Sequence, residues 1–151
     1  MKIKIDDLSG DEIKEFLEAH VEEMKSVSPP ESKHALDLDS LRQPGITFWT
    51  VWSDSNLLGC GALKELDSDL AEIKSMRTGK FGRGKGVASF LLRHILTVAR
   101  DRGYQRISLE TGSMPFFEPA HRLYANHGFE PCGPFGEYKE DANSIFMTRP
   151  L

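Results

Sequence analysis

Apolar and polar residues alternate at the start of the chain, and the period then changes several times. Lys2–Ile5 has the period of two that marks a strand. From Gly10 onward Ile13, Phe16, Leu17, His20, Val21 and Met24 recur three and four apart, which gives a helix one apolar face. Ser9, with Glu12 three places on, reads as a capping box at its start, and Ser28-Pro29-Pro30 as its stop. Residues 37–41 read as a further short helix, ended by Pro44-Gly45. Residues 46–52 and 57–66 are rich in β-branched, aromatic and aliphatic side chains and read as strands, parted by the turn residues Ser53-Asp54-Ser55-Asn56. After Asp67-Ser68-Asp69, residues 71–78 read as a third strand of this run.

A glycine-rich, basic segment, 79–86, then opens a helix over 87–102, whose stripe is Val87, Ala88, Leu91, Leu92, Ile95, Leu96 and Ala99. Gly103 ends it and a strand at 106–110 follows. Strand, crossover helix and strand form a βαβ unit, so these two strands should run parallel. A loop with Pro115 and Pro119 leads to a helix at 120–127, stopped by Gly128. Strands at 129–132 and 144–148 close the chain, joined through Gly133-Pro134-Phe135-Gly136-Glu137-Tyr138. The order βα(α)βββαβαββ predicts an α/β (α+β) chain, one domain over 1–151 around a single sheet.

Composition narrows the function. A 39% apolar and 28% charged chain is ordinary for a globular protein. A net charge of −4 argues against a nucleic-acid binder, which needs surplus cations to neutralise phosphates. No apolar run approaches the roughly 20 residues that span a bilayer, and the first residues lack a signal peptide's apolar centre, so no membrane association and a cytoplasmic location are expected. Cys60 and Cys132 have no Cys or His at ligand spacing, so reduced thiols and no metal are expected.

The chemistry concentrates in Arg83-Gly84-Lys85-Gly86-Val87-Ala88, between a strand and an amphipathic helix. A helix start offers unpaired N–H groups and about half a positive charge, and glycines let a phosphate approach the backbone. Arg83 and Lys85 add charge at the rim of this anion site. The plain alternative is a glycine-rich turn with solvated cations. A Walker loop needs Ser or Thr after Gly-Lys, where this chain has Gly86, and a Rossmann fingerprint would open a longer βα array.

The segment resembles the R/Q-x-x-G-x-G/A pyrophosphate loop of the GCN5-related N-acetyltransferase (GNAT) superfamily, with Arg83, Gly86 and Ala88 on motif positions. Residues 71–78 are similar to that family's splayed fourth strand, and 120–129 resemble its A-x-x-L-Y-x-x-x-G-F segment. Leu109-Glu110-Thr111-Gly112 and Cys132-Gly133-Pro134-Phe135-Gly136 with Tyr138 suggest a branch of small bacterial acetyltransferases. Many members carry an Asn seven residues before the tyrosine, at a position that contacts the cofactor. Here that residue is Phe117.

The resemblance implies a mixed, partly splayed sheet flanked by helices, and transfer of an acetyl group from acetyl-CoA to a small-molecule or peptide amine by direct attack in a ternary complex. It implies cofactor binding by Met76, Thr78, Arg83, Gly84, Lys85, Gly86, Val87, Ala88 and Ser89, with the Met76 N–H as oxyanion donor. Tyr124 is then the general acid, since a phenol of pKa about 10 can protonate a thiolate whose thiol titrates near 8.5. Glu72 is the candidate base. It lies four residues before Met76, so strand alternation predicts that the two share a face. Glu110 and His121 are further candidates for proton transfer, and Thr111, Phe116, Phe117, Phe135 and Tyr138 for the acceptor wall. The fold suits a homodimer through exposed strands. A second reading is a non-catalytic acyl-CoA-binding or sensing module, and a third is a small nucleotide-binding regulator.

Overall fold

The computed structural model describes residues 1–27 and 38–151. The expected helix stop at Ser28-Pro29-Pro30 and the expected helix start at Asp37 lie outside the described residues. The elements are β1 (Lys2–Ile5), α1 (Asp11–Val27), α2 (Leu38–Leu41), β2 (Ile46–Ser53), β3 (Asn56–Glu65), β4 (Leu70–Thr78), α3 (Val87–Asp101), β5 (Arg106–Gly112), α4 (Glu118–Asn126), β6 (Glu130–Cys132) and β7 (Ser144–Pro150). A single 3-10 turn, Pro115–Phe117, precedes α4.

The seven strands form one mixed sheet in the order β1-β2-β3-β4-β5-β7-β6. β4 and β5 are its parallel pair, as the βαβ reading requires, and the other neighbours are antiparallel. Each face of the sheet is covered separately. On one, the stripe of α3 (Val87, Leu91, Leu92, Ile95, Leu96, Ala99) and Tyr124 of α4 pack on Leu63, Ile73, Ile107 and Leu109. On the other, Ile13 and Leu17 of α1 pack with Phe48, Cys60 and Ala62. Among the described residues no helix is long and apolar enough to cross a membrane.

The Ser9 hydroxyl does not cap α1 as expected. It donates to Asp7 Oδ1 at 2.6 Å, while the Gly10 carbonyl accepts from the Lys14 N–H. The Asp6 and Asp7 carboxylates collect the amides of Leu8 and Ser9, and this tight turn draws the serine away from the helix.

Two irregularities place the site. β4 pairs with β5 only from Leu70↔Arg106 to Ile73↔Leu109. Beyond that point β4 follows β3 as far as Thr78 and β5 follows β7 as far as Gly112, so a gap opens between them. The second is a bulge at the start of the gap. The β3–β4 register slips between Cys60↔Arg77 and Ala62↔Lys74, and Ser75 takes the left-handed φ of 56°.

Candidate active site

The bulge decides which side chains share a face. Without it Glu72, Lys74 and Met76 would all point one way. With one extra residue in β4, Glu72, Lys74 and Arg77 lie on the α1 side and Met76 turns to the α3 side, where it packs on the core. The expectation that Glu72 and Met76 share a face is therefore overturned. Gly61, opposite the bulge, makes room for this, since a Cβ there would lie 2.5 Å from Met76 Sδ. The Cys60 thiol donates to the Ser75 carbonyl at 3.3 Å, and its burial pushes the thiol pKa up to about 12. Cys60 is a buried, un-ionised strut for the bulge.

Two cavities meet at the gap. One, of about 370 Å³, runs on the α3/α4 side and is lined by Met76, Thr78, Ala88, Phe116, Leu123 and Tyr124 among others. The second, of about 170 Å³, is lined by Lys74, Ser75, Leu109, Glu110 and Thr111. His20, Met76, Phe117, Ala120 and Tyr124 line both, so together they form a slot from the start of α3 through the sheet to Glu110. Phe117 reaches across it because Gly112 has no side chain, and a Cβ there would lie 2.3 Å from the Phe117 ring.

At the α3 end, Gly84 (φ 74°) and Gly86 (φ 75°) both adopt the left-handed conformation, and nothing lies within 4 Å of a Cβ built on either. The first α3 hydrogen bond runs from the Phe90 N–H to the Gly86 carbonyl, so the amides of Val87, Ala88 and Ser89 face the helix end without helical partners. The Val87 side chain is buried in the core, which leaves its backbone as the part able to meet a ligand. Lys85 is exposed at the rim. Arg83 turns towards α1, 3.8 Å from Glu23. Glu23 also binds Arg77 through both guanidinium Nη atoms, which holds its carboxyl below the usual range.

The predicted proton carriers occupy different environments. Tyr124 is buried beside Phe129, with ring centroids 5.6 Å apart, and burial raises its pKa, so its phenol stays protonated. Glu72 is 3% exposed and does not line the slot. Its Oε2 accepts from Tyr138 Oη at 2.6 Å and lies 3.5 Å from Lys74 Nζ. Glu110 does line the slot. Burial raises its carboxyl first of all, Glu72 and Asp141 push it the same way, and Lys74 opposes them. His121 points away, with Nε2 2.8 Å from the Gly112 carbonyl. Phe135 and Tyr138 pack with Phe146 in edge-on and tilted ring contacts outside the slot lining, while Thr111, Phe116 and Phe117 line the slot.

Sequence reading did not single out His20, Lys74 or Ser75 as slot residues. His20 was legible only as one position on the apolar face of α1. Ser75 carries no mark of a bulge, since the usual signal is a Gly or Asn. Among the described residues there is no group of three or more His, Cys, Asp or Glu side chains placed to hold a metal ion.

The acetyltransferase (GNAT) family matches residues 13–129. The chain is 55% identical, over the full length of both, to the uncharacterized N-acetyltransferase YsnE of Bacillus subtilis (strain 168). Its fold is similar to a Klebsiella pneumoniae structure assigned as an acyl-CoA N-acyltransferase (TM-score 0.81, 22% identity, 99% of this chain and 97% of that one). It is also similar to a Bacillus subtilis acetyltransferase solved in complex with CoA (TM-score 0.70, 16% identity, 99% and 98%).

Proposed function

The chain belongs to the acetyltransferase (GNAT) family, and from that premise we propose how its own residues carry out acetyl transfer from acetyl-CoA to an amine. The observation that carries the reading is the slot through the sheet, with Thr78 and Ala88, which flank the glycine loop, at one end, Glu110 at the other, and Tyr124 lining both parts. The residues at the α3 end suit a diphosphate: two left-handed glycines with open space in front of them, and helix-start amides behind.

Arg83, Gly84, Lys85, Gly86, Val87, Ala88 and Ser89 hold the phosphates, Val87 by its amide alone, and Thr78 and Met76 line the path to the gap. Bound acetyl-CoA supplies an activated thioester carbonyl. The Met76 N–H, beside the bulge, receives the carbonyl oxygen as negative charge develops on it. Glu110 takes the proton from the acceptor amine, and Tyr124 gives one to the departing thiolate.

Glu110 takes the role of base from Glu72 on geometry. Glu72 is covered by Tyr138 and paired with Lys74, whereas Glu110 faces the slot with a raised carboxyl. Glu72 is then a positioning residue, fixing Lys74 and adding negative charge beside Glu110. With the Glu72–Lys74 pair balanced, Glu110 and nearby Asp141 leave the acceptor end acidic, which suits a small-molecule or peptide amine.

The test compares native chain, Gly86→Trp and Tyr124→Phe in acetyl-CoA binding and in transfer to a panel of amines. The indole fills the space before the loop, so binding should be lost in Gly86→Trp. Tyr124→Phe should bind within about twofold of native and turn over roughly 10²-fold slower or more. Native affinity in the first variant removes the loop from the site, and native turnover in the second removes Tyr124 as the acid.

A further inference from the structure

Ser89, in the first turn of α3, lies with its Oγ 3.1 Å from His127 Nε2. His127 is the C-cap of α4, and its Nδ1 lies 2.9 Å from the Leu123 carbonyl oxygen. A carbonyl only accepts, so Nδ1 carries a hydrogen. In a neutral ring Nε2 is then bare, and the Ser89 hydroxyl must donate to it. The other contact of that hydroxyl runs the same way, since Arg93 Nη1 donates to Ser89 Oγ at 3.4 Å. Ser89 therefore has its one hydrogen committed and presents lone pairs to the end of α3.

That polarity is wrong for a phosphate, whose oxygens need donors. A proton on Nε2 reverses it. The imidazolium donates to Ser89 Oγ, the serine hydrogen turns to the phosphate, and a positive charge is added beside the anion. The charged side chains bonded into this cluster are Arg93 from α3 and Arg149 from β7, whose Nη1 donates to the His127 carbonyl at 2.7 Å. The ring thus joins the negative end of α4 to the positive end of α3.

We infer that His127 is a positioning residue for the cofactor phosphates, which sets the direction of the Ser89 hydroxyl and takes up a proton as CoA binds. The inference rests on the reading that the phosphates sit at the start of α3. It goes beyond that reading by making cofactor binding a proton-linked event.

The test is titration calorimetry of native chain with CoA near neutral pH, in buffers of differing ionisation enthalpy. The buffer dependence of the heat counts protons exchanged. Net proton uptake is expected for native, and none for Ser89→Ala or His127→Gln. The glutamine amide donates permanently to Ser89, so this variant should hold CoA within about threefold of native. His127→Ala should bind about three- to tenfold more weakly, with kcat at saturation unchanged. A native heat independent of buffer, or uptake persisting in His127→Gln, overturns the role of His127 while leaving the loop as the cofactor site. Equal CoA affinity in native and Gly86→Trp instead overturns the cofactor reading, and this inference with it.

Discussion

Glu72 and Glu110 are like residues in unlike environments. Both face the α1 side of the sheet, on adjacent strands. Glu72 has its charge answered by Lys74 and its oxygen by Tyr138, while Glu110 lines a cavity with its carboxyl raised mainly by burial. A carboxyl raised in the folded state favours the fold below the unfolded carboxyl's range, and loses that contribution as pH rises through its folded value. At neutral pH the ionised Glu110 is therefore a liability to stability. Glu110→Gln should raise Tm at neutral pH, with the gain shrinking towards pH of about 4. The same variant should lower kcat roughly 10²–10⁴-fold and erase an acidic limb of the pH–rate profile that in native chain lies above the ordinary carboxylate range. A flat acidic side in native chain, or an unchanged Tm in the variant, would set Glu110 aside as base. Which of the two carboxylates lines the slot was not legible in the sequence, because Tyr138 covers Glu72 from 66 residues away. That Tyr124 lines the slot was legible, because its neighbours Leu123, Gly128 and Phe129 form a local pattern.

At the scale of elements, the bulge in β4 makes the site. It holds Ser75 at a φ of 56°, costing about 1–3 kcal/mol for a non-glycine residue, and the Cys60 thiol ties the Ser75 carbonyl down from the next strand. It also sends Met76 to the α3 side over Gly61. Gly61→Val should therefore destabilise the protein by about 1–3 kcal/mol, since its Cβ would lie 2.5 Å from Met76 Sδ and 3.0 Å from Leu91 Cδ2. A displaced Met76 would intrude on the slot, so acetyl-CoA affinity should fall in the same variant, and native stability with native affinity would show that the slot does not depend on the bulge. The strands and helices themselves were legible from their periods, because burial on one face writes itself into the sequence as alternation or as a stripe. The bulge was not, because a single extra residue shifts the phase of that alternation without changing its composition. The start of α1 failed for a similar reason: Asp6 and Asp7 compete locally for the groups that a capping box would use.

At the scale of the molecule, the sheet stands as a wall between two chambers. Thr78 and Ala88, which flank the loop, line the cavity on the α3/α4 side, and Glu110 and Lys74 the one reaching the α1 side, with Tyr124 in both and the β4–β5 gap as the passage. Two substrates can then be present together, meeting through the wall with the amine aimed at the carbonyl. An acetylated enzyme would instead need a nucleophile at the gap. The thiol nearest it, Cys60, is fully buried, has its pKa pushed up to about 12, and spends its hydrogen on the Ser75 carbonyl. A thiol so held is almost wholly un-ionised at neutral pH and poorly suited to attack a thioester. Initial rates against both substrates should therefore give intersecting double-reciprocal lines, and incubation with acetyl-CoA alone should leave the protein's mass unchanged. Parallel lines, with an acetyl group retained on the protein before any amine is added, would replace direct attack by a two-step route and require a nucleophile other than this thiol.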